Sequence, residues 1–180
     1  AERQHVATLR RLLGLPQRAP VATILAESGQ PPLYISWLTQ AARVWSSLVA
    51  APQGSILSQV LEASLQMAAE CKQQRLRPAQ LPWAAQLQRA MAAAGVAFDP
   101  QQRAALQPAE VRRAALQHYL HKVAAAAARP GASRLWHYFG VVRPSCLNPD
   151  EYGMPAYVSE VRERHRRIAL AELRTGVHWG

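Results

Sequence analysis

Lysine is nearly missing from this sequence: of 21 basic residues only Lys72 and Lys122 are lysines, and the others are arginines. Cysteine is equally scarce. Cys71 and Cys146 stand far apart and without C-x-x-C spacing. Two cysteines cannot staple a chain of 180 residues, so a disulfide scaffold is excluded and a reducing, intracellular setting is expected. No run approaches the ~18 uninterrupted apolar residues of a membrane span. The first fifteen residues are dotted with arginine and lack the apolar centre and small-residue cleavage site of a signal peptide. Period-two alternation is nowhere sustained, which leaves no candidate strand. Acidic residues number only 11 and are scattered, so two-metal phosphoryl chemistry has no cluster to use. Phosphate-cradling glycine loops, the G-x-S-x-G elbow and the dinucleotide fingerprint are all missing. These absences predict no catalytic residues, no metal, no cofactor, no small-molecule ligand and no membrane association.

What is present is a basic chain with ample apolar residues. Hydrophobic residues make up 49% of the sequence, enough to bury a core. A formal charge of +10 points to polyanionic partners, either RNA, DNA or an acidic surface. Arginine and alanine richness also follows from GC-rich coding, so charge alone does not decide the partner.

Helix punctuation recurs along the chain. Pro20 opens a short helix and Gly29 closes it. Pro31-Pro32 starts a second, in which Ile35, Leu38, Ala42, Trp45 and Val49 form one stripe. Tyr34, Trp37, Ala41, Val44 and Leu48 form another beside it, which predicts a largely buried helix. Pro52-Gln53-Gly54 is a turn, Ser55 an N-cap, and the following helix runs to about Arg75. Pro78 and Pro82 precede a helix from about Trp83 to Ala94, stopped by Gly95. Asp99-Pro100 is a cap-and-first-turn signal, and Pro108 with Glu110 starts a longer helix that ends in Ala124–Ala128. Ser133–Phe139 is short and aromatic, a loop near 140–154 follows, and Pro155 opens a last helix to about Arg174. The pattern predicts an all-α, multi-helix bundle of about seven helices. A single helical region over 1–180 is expected, with a possible sub-boundary at 129–155.

Few side-chain groupings carry chemistry. His118 and His121 are three apart on one helix but have no third ligand of recognisable spacing, so they read as a partly exposed face. Cys146 near His137 lacks the context of a nucleophile and reads as a structural thiol. Trp37, Trp45, Trp83 and Trp136 read as core or inter-helix anchors, and Arg10-Arg11 and Arg112-Arg113 as solvated faces. The terminal helix carries Arg162, Arg164, His165, Arg166 and Arg167. It reads either as a phosphate-gripping helix near Trp136 and Tyr138, or as a solvated face with pairs Glu160–Arg164 and Glu163–Arg167.

Two segments resemble one family. Leu-Gly-Leu-Pro from Leu13, Ala19-Pro20, Leu25-Ala26-Glu27-Ser28-Gly29 and Pro31-Pro32-Leu33 precede an aromatic amphipathic helix ending near Leu48. At the far end stands Leu173-Arg174-Thr175-Gly176-Val177-His178-Trp179. This order resembles the region beyond the polymerase core of non-LTR, LINE-type retrotransposon polyproteins of plant and algal type. The resemblance covers both ends of the chain, while 53–167 carries no matching motif. It implies a helical segment downstream of palm and thumb that helps hold template RNA and target DNA. The polymerase aspartates would lie upstream, and a Cys/His zinc knuckle would follow the signature. The missing initiator methionine and the stop after Trp179-Gly180 agree with a fragment of a longer polyprotein. The expectation is a noncatalytic nucleic-acid-binding module acting with upstream polymerase domains in nucleus and cytoplasm. Arg162, Arg166, Arg167 and Arg174 would meet phosphates, and Trp136 or Tyr138 would stack on bases. The competing expectation is a helical protein–protein scaffold.

Overall fold

The computed structural model describes residues 1–71, 80–129, 131 and 133–175. Among these residues every regular element is helical, as an all-α chain requires. In chain order the α-helices are α1 (Glu2–Leu13), α2 (Val21–Ser28), α3 (Leu33–Val49), α4 (Ile56–Cys71) and α5 (Trp83–Ala93), followed by α6 (Pro108–Ala127), α7 (Ser133–His137), α8 (Ala156–Glu160) and α9 (Arg164–Arg174). No helix among the described residues is long and apolar enough to cross a membrane. The expected helix end near Arg75, and Gly176 to Trp179, lie outside the described residues.

The local signals act where the sequence places them. Gly29 adopts φ +64° and its N–H returns to Ala26 O, closing α2 in a conformation that costs other residues strain. Ser55 Oγ accepts the Ser58 N–H at 3.2 Å and caps α4. Asp99 Oδ1 accepts the Gln101 N–H at 3.1 Å, but the turn it caps stops after Gln102 because Arg103 turns left-handed at φ +49°.

The chain divides into two compact units, one of residues 1–33 with 116–180, the other of 34–115. The 129–155 stretch falls inside the first unit. There Val6, Leu9, Leu15, Ala19, Ile24, Leu25 and Ala171 form a core, with Leu13, Tyr119 and Tyr157 packed against it. The second unit is centred on Trp45, whose ring stacks on Trp83 at 6.0 Å and meets Phe98 edge-on at 4.9 Å. The Trp45 indole N–H donates to Ala104 O at 2.9 Å, and Ser46 Oγ donates to Leu106 O at 2.7 Å, so α3 fixes the loop before α6. Ser64 Oγ accepts the Ala84 N–H, joining α4 to α5.

Three expectations are corrected. The second stripe of α3 is buried only at Ala41. Ile35, Leu38, Ala42 and Trp45 face the core, while Trp37 is 50% exposed and Tyr34 and Val44 are exposed beside it. Two adjacent apolar stripes span more of a helix than this core covers. Trp37 and Trp136 are consequently not core anchors, since Trp136 is 58% exposed. The last helix is broken: α8 ends at Glu160, and Val161 and Glu163 are extended before α9 begins.

Candidate nucleic-acid interface

Helix α2 reads Val-Ala-Thr-Ile-Leu-Ala-Glu-Ser, and Glu27 is its only charge. That carboxylate is wholly buried, and three donors from distant segments meet on it. Tyr138 donates its hydroxyl to Oε1 at 2.7 Å and Arg174 Nε donates to the same oxygen at 2.9 Å. Tyr157 donates its hydroxyl to Oε2. The Arg174 guanidinium also lies 5.3 Å from the centre of the Tyr157 ring. A buried carboxylate is tolerated only when paired and fully hydrogen-bonded, and here both oxygens are engaged.

Around this centre the chain supplies further support. Arg143 donates Nη1 to Ala26 O and Nη2 to Gly153 O, both at 2.5 Å, tying the 140–154 loop to the end of α2. Tyr152 donates its hydroxyl to Gln30 O at 3.1 Å. The Cys146 thiol is buried and donates to Arg143 O at 3.0 Å. Gly29 lets this loop come close: a Cβ there would stand 2.3 Å from the Met154 backbone nitrogen. At the end of α9, Thr175 Oγ1 donates back to Ala171 O at 2.8 Å and is itself buried.

The electrostatics follow from burial. Burial raises the Tyr138 hydroxyl pKa far above the usual tyrosine range, and the Glu27 charge beside it adds to the rise. Tyr157 shifts upward for the same two reasons. Burial pushes the Cys146 thiol up to about 11, with Arg143 opposing. For Arg174 burial pulls downward, but the Glu27 hydrogen bond and charge outweigh it and raise the pKa. The raised tyrosine and thiol groups stay protonated and Arg174 stays charged at neutral pH, the forms in which they make the hydrogen bonds described above.

The break between α8 and α9 has its cause here. In one continuous helix, Tyr157 and Arg174 would be separated by about 25 Å at 1.5 Å per residue. Both could not reach one carboxylate. Splitting the helix at 161–163 lets each do so. No proline or glycine marks the break, so local sequence gives no sign of it.

The residues expected to bind nucleic acid fall into different surroundings. Arg162 is exposed, with no carboxylate partner among the described residues. Arg166 is exposed and its Nε lies 2.6 Å from Glu163 Oε2, which His165 also approaches at 3.4 Å. Arg167 Nη1 donates to Val158 O at 3.4 Å. Arg174 is held by Glu27, which has first claim on its Nε. Trp136 is exposed and accessible for stacking. Tyr138 is not: it is buried, edge-on to Phe139 at 4.9 Å, with its hydroxyl on Glu27. The expected pairs Glu160–Arg164 and Glu163–Arg167 give way to Glu163–Arg166, because Glu160 ends α8 while Glu163 caps α9 from outside it.

The sequence analysis gives Glu27 no role beyond its place in the first family-like segment. The available signal was its isolation: a lone charge in an otherwise apolar turn needs a partner. His118 is half-buried and His121 exposed, and no three metal-ligating side chains cluster among the described residues. No family model, no curated protein and no solved structure matches this chain.

Proposed function

We propose that this chain is a noncatalytic helical segment of a LINE-type reverse transcriptase polyprotein that helps hold template RNA or target DNA. The observation that carries the reading is the meeting of its two family-like segments. Glu27 of the first and Arg174 of the second lie 147 residues apart in sequence and form one ion pair, in which the carboxylate is buried and the guanidinium half-buried. A shared structural task accounts for two short motifs at opposite ends of a chain whose middle resembles nothing. In the same unit the exposed Arg162 and Arg166 and the half-buried Arg167 would meet phosphates, and the exposed Trp136 a base.

The test is binding of labelled single-stranded RNA or DNA at increasing salt. Each phosphate neutralised releases counterions, so affinity falls steeply as salt rises. Replacing Arg162, Arg166 and Arg167 together by glutamine flattens that dependence. Absence of binding at low salt sinks the reading, and an unchanged dependence in the triple variant sinks the site.

A second reading, a helical scaffold for protein partners, is favoured by one observation. In the second unit Trp37 and Val44 on α3, and Ile56, Val60 and Met67 on α4, leave large apolar surfaces in solvent. This reading expects self-association or partner capture that is lost when Trp37 and Ile56 become glutamine. A monodisperse monomer that captures nothing removes it.

A further inference from the structure

Arg167 and Arg174 lie seven residues apart on one face of α9, about 10 Å from each other along its axis. Their side chains nevertheless converge on consecutive residues of α8. Arg167 Nη1 donates to Val158 O at 3.4 Å, and the Arg174 guanidinium stands 5.3 Å from the centre of the Tyr157 ring. Arg174 is fixed a second time by its Nε, which donates to Glu27 Oε1 at 2.9 Å. Glu27 in turn accepts the Tyr138 and Tyr157 hydroxyls, so the carboxylate that holds the arginine is itself held.

The other end of that guanidinium is unused. Arg174 keeps 27% of its side chain exposed, and Nε makes its only side-chain hydrogen bond among the described residues. Neither Nη is both sealed from solvent and unpartnered, so both lie open to water. Nε and Nη2 of the half-buried Arg167 are open in the same way. Among the described residues the two cations share a single carboxylate, Glu27, because Glu163 is engaged by Arg166 and His165. One positive charge is left in excess on two guanidinium groups that are already held. A planar fork fixed on one edge suits a phosphate on the other, and ordering it before binding lowers the entropic cost. The exposed Arg162, Arg164 and Arg166 belong to the same segment, which favours an extended polyanion over a lone anion.

We propose that Arg174, positioned by Glu27 and Tyr157, binds one backbone phosphate of single-stranded nucleic acid through its open Nη groups, with Arg167 beside it. The proposal rests on the nucleic-acid reading above and adds to it an arginine that the reading leaves to Glu27.

The experiment uses the full chain and fluorescein-labelled oligouridylate, with anisotropy followed across a range of salt. Arg174→Gln lowers the slope of log affinity on log salt by about 0.7, the value for one phosphate of a single strand. Arg174→Lys keeps the charge and the slope but loses the fork, and weakens binding about fivefold. Glu27→Gln removes a negative charge, so a count of charges expects tighter binding. The proposal expects binding about threefold weaker, because the guanidinium is no longer held. Nitrogen-resolved side-chain spectra of the parent chain add a measurement without any variant. The Arg174 Nη signals shift as oligouridylate is added, while inorganic phosphate at the same phosphate concentration leaves them in place.

If the parent binds but both Arg174 variants bind identically to it, or Glu27→Gln binds more tightly, the assignment is overturned while the nucleic-acid reading stands. Arg174 Nη signals unmoved at saturation overturn it too, even where every variant fails to fold. If the parent does not bind at low salt, both fall. Equal shifts with inorganic phosphate make this a free-anion site and overturn the nucleic-acid assignment.

Discussion

The two units of this chain solve burial in opposite ways. The first, built from the two ends of the sequence, places a carboxylate at its centre and spends two tyrosines and an arginine on satisfying it. The second, residues 34–115, centres on stacked indoles and a phenylalanine, then leaves a tryptophan and several aliphatic side chains outside. Charge divides in parallel, with thirteen basic against seven acidic residues in the first unit and eight against four in the second. A polar centre demands that particular partners arrive, whereas an apolar one accepts many packings. The first unit is thus specified by a few named contacts, and the second by volume and pattern.

Breaking the polar centre should produce the largest effect. Glu27→Ala leaves Arg174 and two tyrosine hydroxyls without their acceptor, and each buried donor left unsatisfied costs about 1–3 kcal/mol. Urea unfolding should show this loss in signals from the first unit, while Trp45 and Trp83 fluorescence reports a second unit little changed. Equal loss in both would erase the contrast drawn here. Gly29→Ala comes next. Its positive φ and the 2.3 Å approach to the Met154 nitrogen predict a cost of about 1–3 kcal/mol, read by the same melts.

Alkaline pH sharpens the comparison further. The Cys146 thiol is raised to about 11, so folding favours its protonated form. That contribution is complete below the ordinary thiol pKa and is lost as pH climbs through 9 to 11. It amounts to about 1 kcal/mol lost by pH 10. Tyr138 and Tyr157 are raised as well and act in the same direction at higher pH. Cys146→Ala should flatten the pH 9–11 part of the first unit's stability curve. The smallest effect is expected at Trp37→Gln and Ile56→Gln. Both side chains are at least half exposed, so stability should stay within about 0.5 kcal/mol while any self-association weakens.

How much was legible in the sequence differs along the same line. Gly29, Ser55, Pro108 and Gly95 act on their immediate neighbours, so helix ends could be read from them. Helical spacing marked the stripe of Trp45 and the stripe of Trp37 alike, and only the first lies in the core, because nothing local tells which of two adjacent apolar stripes meets other helices. Tyr138 and Trp136 look alike in sequence, two aromatics in one short segment, yet one is buried and the other exposed. The difference is made by Glu27, 111 residues from Tyr138, which no local pattern contains. The break at 161–163 and the fate of Arg174 have the same origin. Glu163 meets Arg166 and not Arg167 because the break moved Glu163 out of the helix.

That break also sets how the chain can change in length. The three residues between α8 and α9 span a fixed gap between two groups tied to one carboxylate. Lengthening such a connector adds only a slowly growing entropy of closure, about 0.6 kcal/mol for each doubling. Shortening it pulls either Tyr157 or Arg174 off its anchor. Insertions at 161–163 should therefore be tolerated where deletions are not, which makes this short connector a one-sided ruler for the whole terminal segment.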